Sequence, residues 1–396
     1  MDDTLFLMGD HKTVLARVSR KGNFPSESWW SPLEKSEKVC YLARLLLLRD
    51  CYFNPVGIAD TSDYPFLPKG IRTLVTGGTG FIGSHLVDAL VTQEAQVRVL
   101  VRPTSDPSRM GQRNIELVVG EFDDPVTLAR AMQDRDVVFH LAALTRARSE
   151  REYIAVNDEG TRALMTAIHT AQPRPRRLVY VSSLAAAGPA TNGVPVGPAD
   201  PPRPITAYGR SKLKGEEACL ATVGDLEVVI LRPPAVYGPR DRDLFLSFQL
   251  AMYGILPIPA GPERHLQFIH VHDLVEAILR AATAPDAAGI YHVAEPQAYS
   301  WREVGQWIAH AVGRRVRTVR VPHWGVRAAA MVSEWGAALR GQATIFNREK
   351  VQELLAPGWL CETEGAKRDL GFAGRISLPT GLTATAVWYR EQGWLS

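Results

Sequence analysis

Thr76-Gly77-Gly78-Thr79-Gly80-Phe81-Ile82-Gly83 lies between an apolar run containing Ile71, Leu74 and Val75 and an apolar-periodic stretch that begins at Ile82. A strand therefore turns through a glycine loop into a helix. In that arrangement Gly77 allows the tight turn, Gly80 lets the backbone approach a pyrophosphate at the helix N-terminus, and Gly83 lets helix and strand pack closely. Such loops also occur without a ligand, so residues further along the chain decide what this one holds.

Among the 11 tyrosines, only Tyr208 has a lysine four residues later, Lys212, within Ala-Tyr-Gly-Arg-Ser-Lys at the start of a helical stretch. An i, i+4 pair shares one helix face. The strand-like run from Arg177 ends in Ser182 and Ser183, 25 residues before that tyrosine. A phenol with a reference pKa near 10 is a poor acid or base at neutral pH, and a nearby ammonium favours its phenolate. Ser183 is placed to hydrogen-bond a substrate oxygen. Taken singly, Tyr208 and Lys212 read equally well as an ordinary helix surface and Ser183 as a strand-end cap. Their order along the chain favours a reaction centre.

With these residues the chain resembles the extended short-chain dehydrogenase/reductases, the NAD-dependent epimerase/dehydratase superfamily, from about Gly70 to the C-terminus. The resemblance rests on the glycine loop, His140-Leu141-Ala142-Ala143, Asn157 with Gly160-Thr161, Ser182-Ser183, Tyr208 with Lys212, Leu231-Arg232-Pro233 with Tyr237-Gly238-Pro239, and Phe268-Ile269-His270-Val271 with Asp273. It implies an enzyme in which Ser183, Tyr208 and Lys212 form the catalytic triad and Asn157 joins the proton relay. It also implies that Gly77, Thr79, Gly80, Phe81, Ile82, Gly83, Leu141, Ala142, Ala143 and Pro233, with Tyr208 and Lys212, hold the cofactor. Glu121 and Phe122 match the position that holds the adenine. A non-catalytic dinucleotide-binding sensor or scaffold is the alternative, and the intact triad argues against it.

The cofactor and substrate are legible one step further. A carboxylate about 20 residues past the glycine loop binds a ribose 2′-hydroxyl, whereas an arginine there accommodates a 2′-phosphate. Here the second strand runs into Arg102-Pro103 with no acid, which points to NADP(H), with NAD(H) retained because Arg102 could be a solvated strand-end residue. Many nucleotide-sugar members carry an asparagine and an arginine where this chain has Ala235 and Leu266. Arg240, Arg242 or Arg264 could substitute from a neighbouring position. The pattern is closer to the dihydroflavonol reductase and 3β-hydroxysteroid dehydrogenase-like branch. It implies interconversion of a ketone and a secondary alcohol on a mostly apolar substrate, with nucleotide-sugar epimerisation or dehydration as the alternative.

Alternating strand-like and helical runs from residue 70 to 232 predict an α/β fold. This is a doubly wound parallel sheet of the Rossmann type, with a smaller C-terminal substrate lobe in residues 233–396 from which 267–293 return to the core. Strands are expected at 72–76, 97–101, 115–119, 137–141, 177–182 and 228–231. Helices are expected at 82–91, 125–132, 149–171 and 207–222 and, in the lobe, near 273–282, 300–312, 347–355 and 382–390. Residues 1–69, with one helical candidate at 33–50, read as a poorly ordered extension, the alternatives being a family-specific appendage or translation assigned from too early a start. The segment 324–339 reads as a helix covering the substrate pocket rather than one lying on a membrane.

Composition sets outer bounds. The 396 residues are 46% hydrophobic with a formal net charge of +3 and no block of like charges, which gives no sign of a nucleic-acid partner. No run is long enough to span a membrane, and the acidic Met1-Asp2-Asp3 lacks the basic character of a signal peptide. Four scattered cysteines without Cys-x-x-Cys spacing suggest reduced thiols in a cytoplasmic protein. His270 and His272 alternate as a metal pair would, but no third ligand follows, so no metal is expected. Pairing of helices 149–171 and 207–222 between two copies is the family's usual route to a homodimer.

Overall fold

In a computed structural model, the described residues are the backbone of 4–9 and 12–17 together with 64–395, apart from 66, 108–113, 222–223, 339–343 and 345. The chain divides into two units, Met1–Pro55 and Val56–Ser396. Within the first, strands β1 (Thr4–Gly9) and β2 (Lys12–Arg17) form an antiparallel hairpin that the sequence reading does not anticipate. The helical candidate at 33–50 lies outside the described residues.

The second unit is built on seven parallel strands. These are β3 (Arg72–Thr76), β4 (Gln96–Val101), β5 (Ile115–Val119), β6 (Val137–His140), β7 (Arg177–Val181), β8 (Glu227–Arg232) and, after the short β9 (Ala235–Tyr237), β10 (Ile255–Pro259), β11 (His265–Leu266) and β12 (Phe268–His270), a seventh, β13 (Gly289–His292). Their order is β13-β8-β7-β6-β3-β4-β5. The chain winds outward from β3 in one direction and then resumes at β6 in the other, so the carboxyl ends of β3 and β6 border a crevice at the point of reversal.

Period-two alternation gives the central strands two buried faces, whereas the edge strand β5 leaves Leu117 and Val119 exposed. Val75, Phe139, Val179 and Leu231 point into one cluster, whereas Leu74, Val138, Leu178 and Ile230 point into the other. Helices α1 (Phe81–Thr92) and α8 (Val271–Thr283) cover the first face. Helices α2 (Pro125–Met132), α4 (Gly160–Thr170) and α6 (Ala207–Leu220) cover the second. The expected helix over 149–171 is broken into α3 (Glu150–Ile154), a π-helical turn Ala155–Glu159, and α4. Such insertions re-aim side chains, and this one carries Asn157.

A third cluster forms the lobe. Helices α7 (Phe245–Met252), α9 (Trp301–Val312) and α13 (Leu378–Glu391) pack around Tyr237, Phe248, Ile308 and Tyr389. Strands β14 (Tyr299–Ser300) and β15 (Arg317–Val321) pair with β11 and β10. Helices α10 (His323–Ala338), α11 (Arg348–Leu355) and α12 (Glu364–Asp369) complete it. The remaining helix, α5 (Leu184–Ala187), follows directly on β7.

Tyr64 and Leu67, which the sequence reading leaves in the extension, are buried in the first sheet cluster beside Ile71, and the Tyr64 hydroxyl meets His272 Nδ1 at 3.2 Å. A chain beginning at Asp63 is therefore expected to fold like the full chain. A chain beginning at Lys69 should lose on the order of 3 kcal/mol, the burial of two large side chains, read as a lower midpoint in thermal or urea unfolding.

Candidate functional site

The glycine loop has the close approaches its sequence implies. Gly77 adopts a φ of 75°, and a Cβ there would lie 2.6 Å from the Ala142 nitrogen. A Cβ on Gly83 would lie 2.1 Å from the Gly77 oxygen, so α1 can begin this near β3 only without a side chain at either position. The loop's own turn is closed by Gly80 N donating to Gly77 O at 3.0 Å. This bare, concave backbone at a helix N-terminus suits a dinucleotide pyrophosphate. Leu141, Ala142 and Ala143 run alongside, with Leu141 N donating to Thr76 O at 3.1 Å. Arg102 is exposed one residue past β4, and Glu121 and Phe122 follow β5. Phe122 also packs edge-on to His140, with ring centroids 5.7 Å apart.

His140 is fully buried. Its Nδ1 meets Thr76 Oγ1 at 2.7 Å and its Nε2 meets Thr161 Oγ1 at 3.0 Å. Burial, helped by the Lys212 charge, pushes its pKa down to about 3. It is a neutral strut between β6 and α4, as its strand-end position suggests, and has no proton to exchange near neutrality.

Ser183 and Tyr208 line one cavity, with Lys212 one turn further along the helix that carries Tyr208. Ser183 caps α5, its Oγ accepting from Ala185 N at 3.1 Å, and its hydroxyl hydrogen-bonds Tyr208. Tyr208 is the second residue of α6, which Thr206 caps by accepting from Gly209 N at 3.0 Å. Gly209 and Gly215 let α6 sit this low: Cβ atoms there would lie 2.4 Å from Ala185 O and 2.4 Å from the Tyr180 hydroxyl. Lys212, one turn along, is buried, donates to Val181 O at 2.9 Å and lies 4.1 Å above the Tyr180 ring. Asn157, on the π-helical turn, bonds the Leu144 backbone on both sides, accepting from N at 2.8 Å and donating to O at 3.0 Å, and donates to Ser211 Oγ at 2.9 Å. Its side chain thus locks α6 to the loop after β6.

Burial, rather than the Lys212 charge, governs Tyr208 in the cofactor-free protein. Burial pushes the Tyr208 pKa up to about 12; the Ser183 hydrogen bond opposes this, and the Glu353 carboxylate adds to it. Lys212 is anchored on Val181, and its own pKa falls to about 8 through burial, partly offset by Glu216. The tyrosine therefore holds its proton firmly in the cofactor-free protein.

A cavity of about 300 Å³ opens against Ser183 and Tyr208. Phe81, Ile82, Leu184, Pro233, Val236, Leu266, Phe268, Trp301, Leu354 and Trp359 make most of its wall apolar, and Ala235 and Leu266 both line it. Its charged lining comprises the acids Asp241, Asp243, Glu349 and Glu353 against Arg146 and Lys350. Arg146 pairs with Asp243, and Lys350 Nζ with Glu353 Oε2 at 2.9 Å. The three arginines that could replace a diphosphate clamp are engaged elsewhere. Arg240 pairs with Asp88 at 2.8 Å and donates to Ser84; Arg264 bonds Pro262 O and His323; Arg242 lies over the Trp394 ring at 5.6 Å.

Sequence reasoning missed the contribution of α11. Glu349 Oε1 accepts from the Ala207 backbone nitrogen at 2.6 Å, capping α6 from 142 residues away, while its Oε2 is buried without a hydrogen-bond partner. Tyr153 is also new to the site, its ring 6.0 Å from that of Tyr208. The segment 324–339 does not line the cavity; its neighbour α11 does. Among the described residues no group of three metal-ligating side chains occurs, and no helix is long and apolar enough to cross a membrane.

A glycine-loop parallel sheet with a serine, tyrosine and lysine at its carboxyl edge defines a dinucleotide-dependent enzyme class, and comparison with known proteins makes it specific. The NAD dependent epimerase/dehydratase family matches residues 73–294, and the chain belongs to that family of enzymes, within the extended short-chain dehydrogenase/reductases. Ceramide reductase of Caulobacter vibrioides (strain NA1000 / CB15N) is 33% identical over 327 residues, covering 81% of this chain and 95% of that protein. The 4-hydroxy-2-methyl-3-oxo-4-farnesyl-3,4-dihydroquinoline-1-oxide ketoreductase of Stigmatella aurantiaca is 29% identical over 326 residues, covering 79% and 95%. The solved structure of MoeE5 in complex with UDP-glucuronic acid and NAD superposes with a TM-score of 0.64 at 28% identity, covering 81% and 99%.

Glu349→Ala removes the acceptor at the start of α6 and should cost about 1 kcal/mol in urea unfolding, whereas Glu349→Gln, which keeps an acceptor oxygen, should recover most of it.

Proposed function

We propose that this protein is an NADP(H)-dependent reductase that converts a ketone on a mostly apolar substrate to a secondary alcohol, with Tyr208 as the acid. The observation that carries this reading is the cavity wall: largely apolar, richer in carboxylates than in cations, and without a guanidinium free to grip a diphosphate. A nucleotide sugar brings two or more negative charges and calls for bidentate arginine contacts. Two relatives whose names state reduction of a ceramide and of a farnesyl-bearing ketone support the same substrate class.

When bound, the reduced dinucleotide supplies the hydride. The glycine loop from Gly77 to Gly83 would hold its pyrophosphate, and Arg102 would pair with a 2′-phosphate. Ser183 donates to the substrate carbonyl oxygen and fixes its position. Tyr208 would give its proton to that oxygen, and a phenol raised to about 12 is protonated throughout the neutral range. Lys212, anchored on Val181, places its positive charge beneath the centre and stabilises the phenolate left behind. Asn157 keeps α6 seated through Leu144 and Ser211.

Tyr208→Phe should lower turnover by roughly two or more orders of magnitude with little change in cofactor affinity. In the wild type, kcat/KM for reduction should be flat through neutrality and fall as pH rises through about 8, because the depressed Lys212 pKa means the ammonium is lost there, well before Tyr208 titrates. Near-wild-type turnover in the phenylalanine variant sinks the assignment.

Arg102→Ala should weaken NADP(H) roughly tenfold or more while leaving NAD(H) nearly unchanged, since only the former loses a charge-assisted contact. Equal losses in calorimetric titration exclude the 2′-phosphate role. Stabilisation by a UDP- or dTDP-sugar in a thermal-shift assay, with none by hydroxysteroid or ceramide-like ligands, reverses the choice of substrate class.

A further inference from the structure

Helix α10 is amphipathic with its apolar stripe on the wrong side for a buried helix. Trp324, Met331, Val332 and Trp335 are 74, 57, 69 and 68% exposed. With exposed Ala328 they fall at i, i+4, i+7, i+8 and i+11, which is one face of an α-helix over three turns. The inward side is already satisfied: Val326 and Ala330 are buried against Val351 of α11, with Val321, Phe346 and Leu355 around them. Two tryptophans on an outward face gain nothing from the fold itself. A contiguous exposed apolar patch of this kind marks a surface that meets something else.

The charge of the chain segment that leads into and through the stripe says what. Between residues 314 and 335 stand Arg314, Arg315, Arg317, Arg320 and Arg327, all exposed, against a single acid, Glu334. That acid is already paired with Arg348 at 2.7 Å. The strand β15 that leads into α10 thus carries cations and an exposed Val319, and the helix carries the aromatic stripe flanked by Arg327. Tryptophan prefers the boundary between headgroups and acyl chains, and arginine prefers anionic headgroups. A protein partner of acidic character would match the arginines but leave the tryptophan stripe unexplained.

We propose that the β15–α10 edge of the lobe is a docking surface for an anionic lipid bilayer, on which α10 lies with Trp324 and Trp335 in the interface. The surface shares α11 with the active site: α10 packs on Val351, and the same helix presents Glu349, Glu353 and Leu354 to the cavity. A bilayer so placed delivers apolar substrate next to the cavity wall. The proposal itself stands on the surface chemistry and not on the identity of the substrate.

The test uses the full chain with vesicles of phosphatidylcholine alone and with roughly one third phosphatidylglycerol, read by co-sedimentation at low and raised salt. The protein should sediment with the anionic vesicles, much less with the neutral ones, and less at raised salt. Trp324→Ser/Trp335→Ser and, separately, Arg320→Gln/Arg327→Gln should each weaken binding roughly tenfold or more while unfolding at the wild-type temperature. Absence of wild-type binding, or equal binding by wild type and both variants, overturns the proposal. Concentration-dependent self-association that the tryptophan variant abolishes, without vesicle binding, assigns the stripe to a second copy and overturns it too. No turnover is measured, so the outcome is independent of the reductase assay.

Discussion

The arrangement of Ser183, Tyr208 and Lys212 hangs on a buried ion pair that lies outside the cavity lining. Arg232 at the end of β8 donates to both oxygens of Glu216 on α6, at 2.9 and 2.6 Å, with both residues almost wholly excluded from water. Ser182 at the end of β7 donates to the same carboxylate. Three elements are thereby fixed to one another: the strand that ends in Ser183, the helix that carries Tyr208 and Lys212, and the strand that continues into Pro233. Burying two charges gains little net stability, because desolvation offsets the Coulombic attraction. Its value here is geometric. A bidentate guanidinium-carboxylate pair has one preferred arrangement, and displacing any of its parts strands a charge in an apolar core. Glu216 also lies one turn beyond Lys212, and its negative charge limits how far burial depresses that lysine.

The sheet was legible because parallel strands buried on both faces read as short apolar runs, and the glycine loop names its own turn. The relative places of Ser183, Tyr208 and Lys212 were legible because one helix face and one strand end suffice to define them. Glu216 was not, although it stands four residues after Lys212 in plain view, since a glutamate on a helix reads as solvated until its partner is known. Arg232 stood inside a quoted motif without any sign that it was buried. Glu349 and Glu353 were less accessible still: they belong to α11, and contact with Ala207 and Tyr208 across more than 140 residues is set by tertiary packing alone. The π-helical turn that carries Asn157 leaves no trace in hydrophobic periodicity, which is why 149–171 reads as one unbroken helix. Tyr64 and Leu67 were missed for the opposite reason, because two apolar residues among prolines show no period.

The lobe explains why the family's fold can serve such different substrates. The sheet and the triad are fixed by close glycine contacts and buried pairs, whereas the cavity wall opposite them is built from Leu266, Trp301, Leu354 and Trp359 on separate short segments. Replacing a clamp for a diphosphate requires no change in the sheet. In this chain Arg240 is paired with Asp88 of α1 and Arg264 with His323.

The charges left in that wall then bear on the direction of the chemistry. Glu353 adds its negative field to the burial of Tyr208, and both act to keep the phenol protonated. A site meant to abstract a proton from an alcohol would be expected to do the reverse and press its tyrosine toward the phenolate. Oxidation starts with a positively charged nicotinamide, which would lower the tyrosine's pKa, whereas reduction starts with a neutral one and leaves the high pKa in place. The cofactor-free cavity therefore holds its tyrosine protonated, the state in which the proposed reduction would begin. The carboxylate that adds to the effect of burial comes from α11, the lobe helix against which α10 packs.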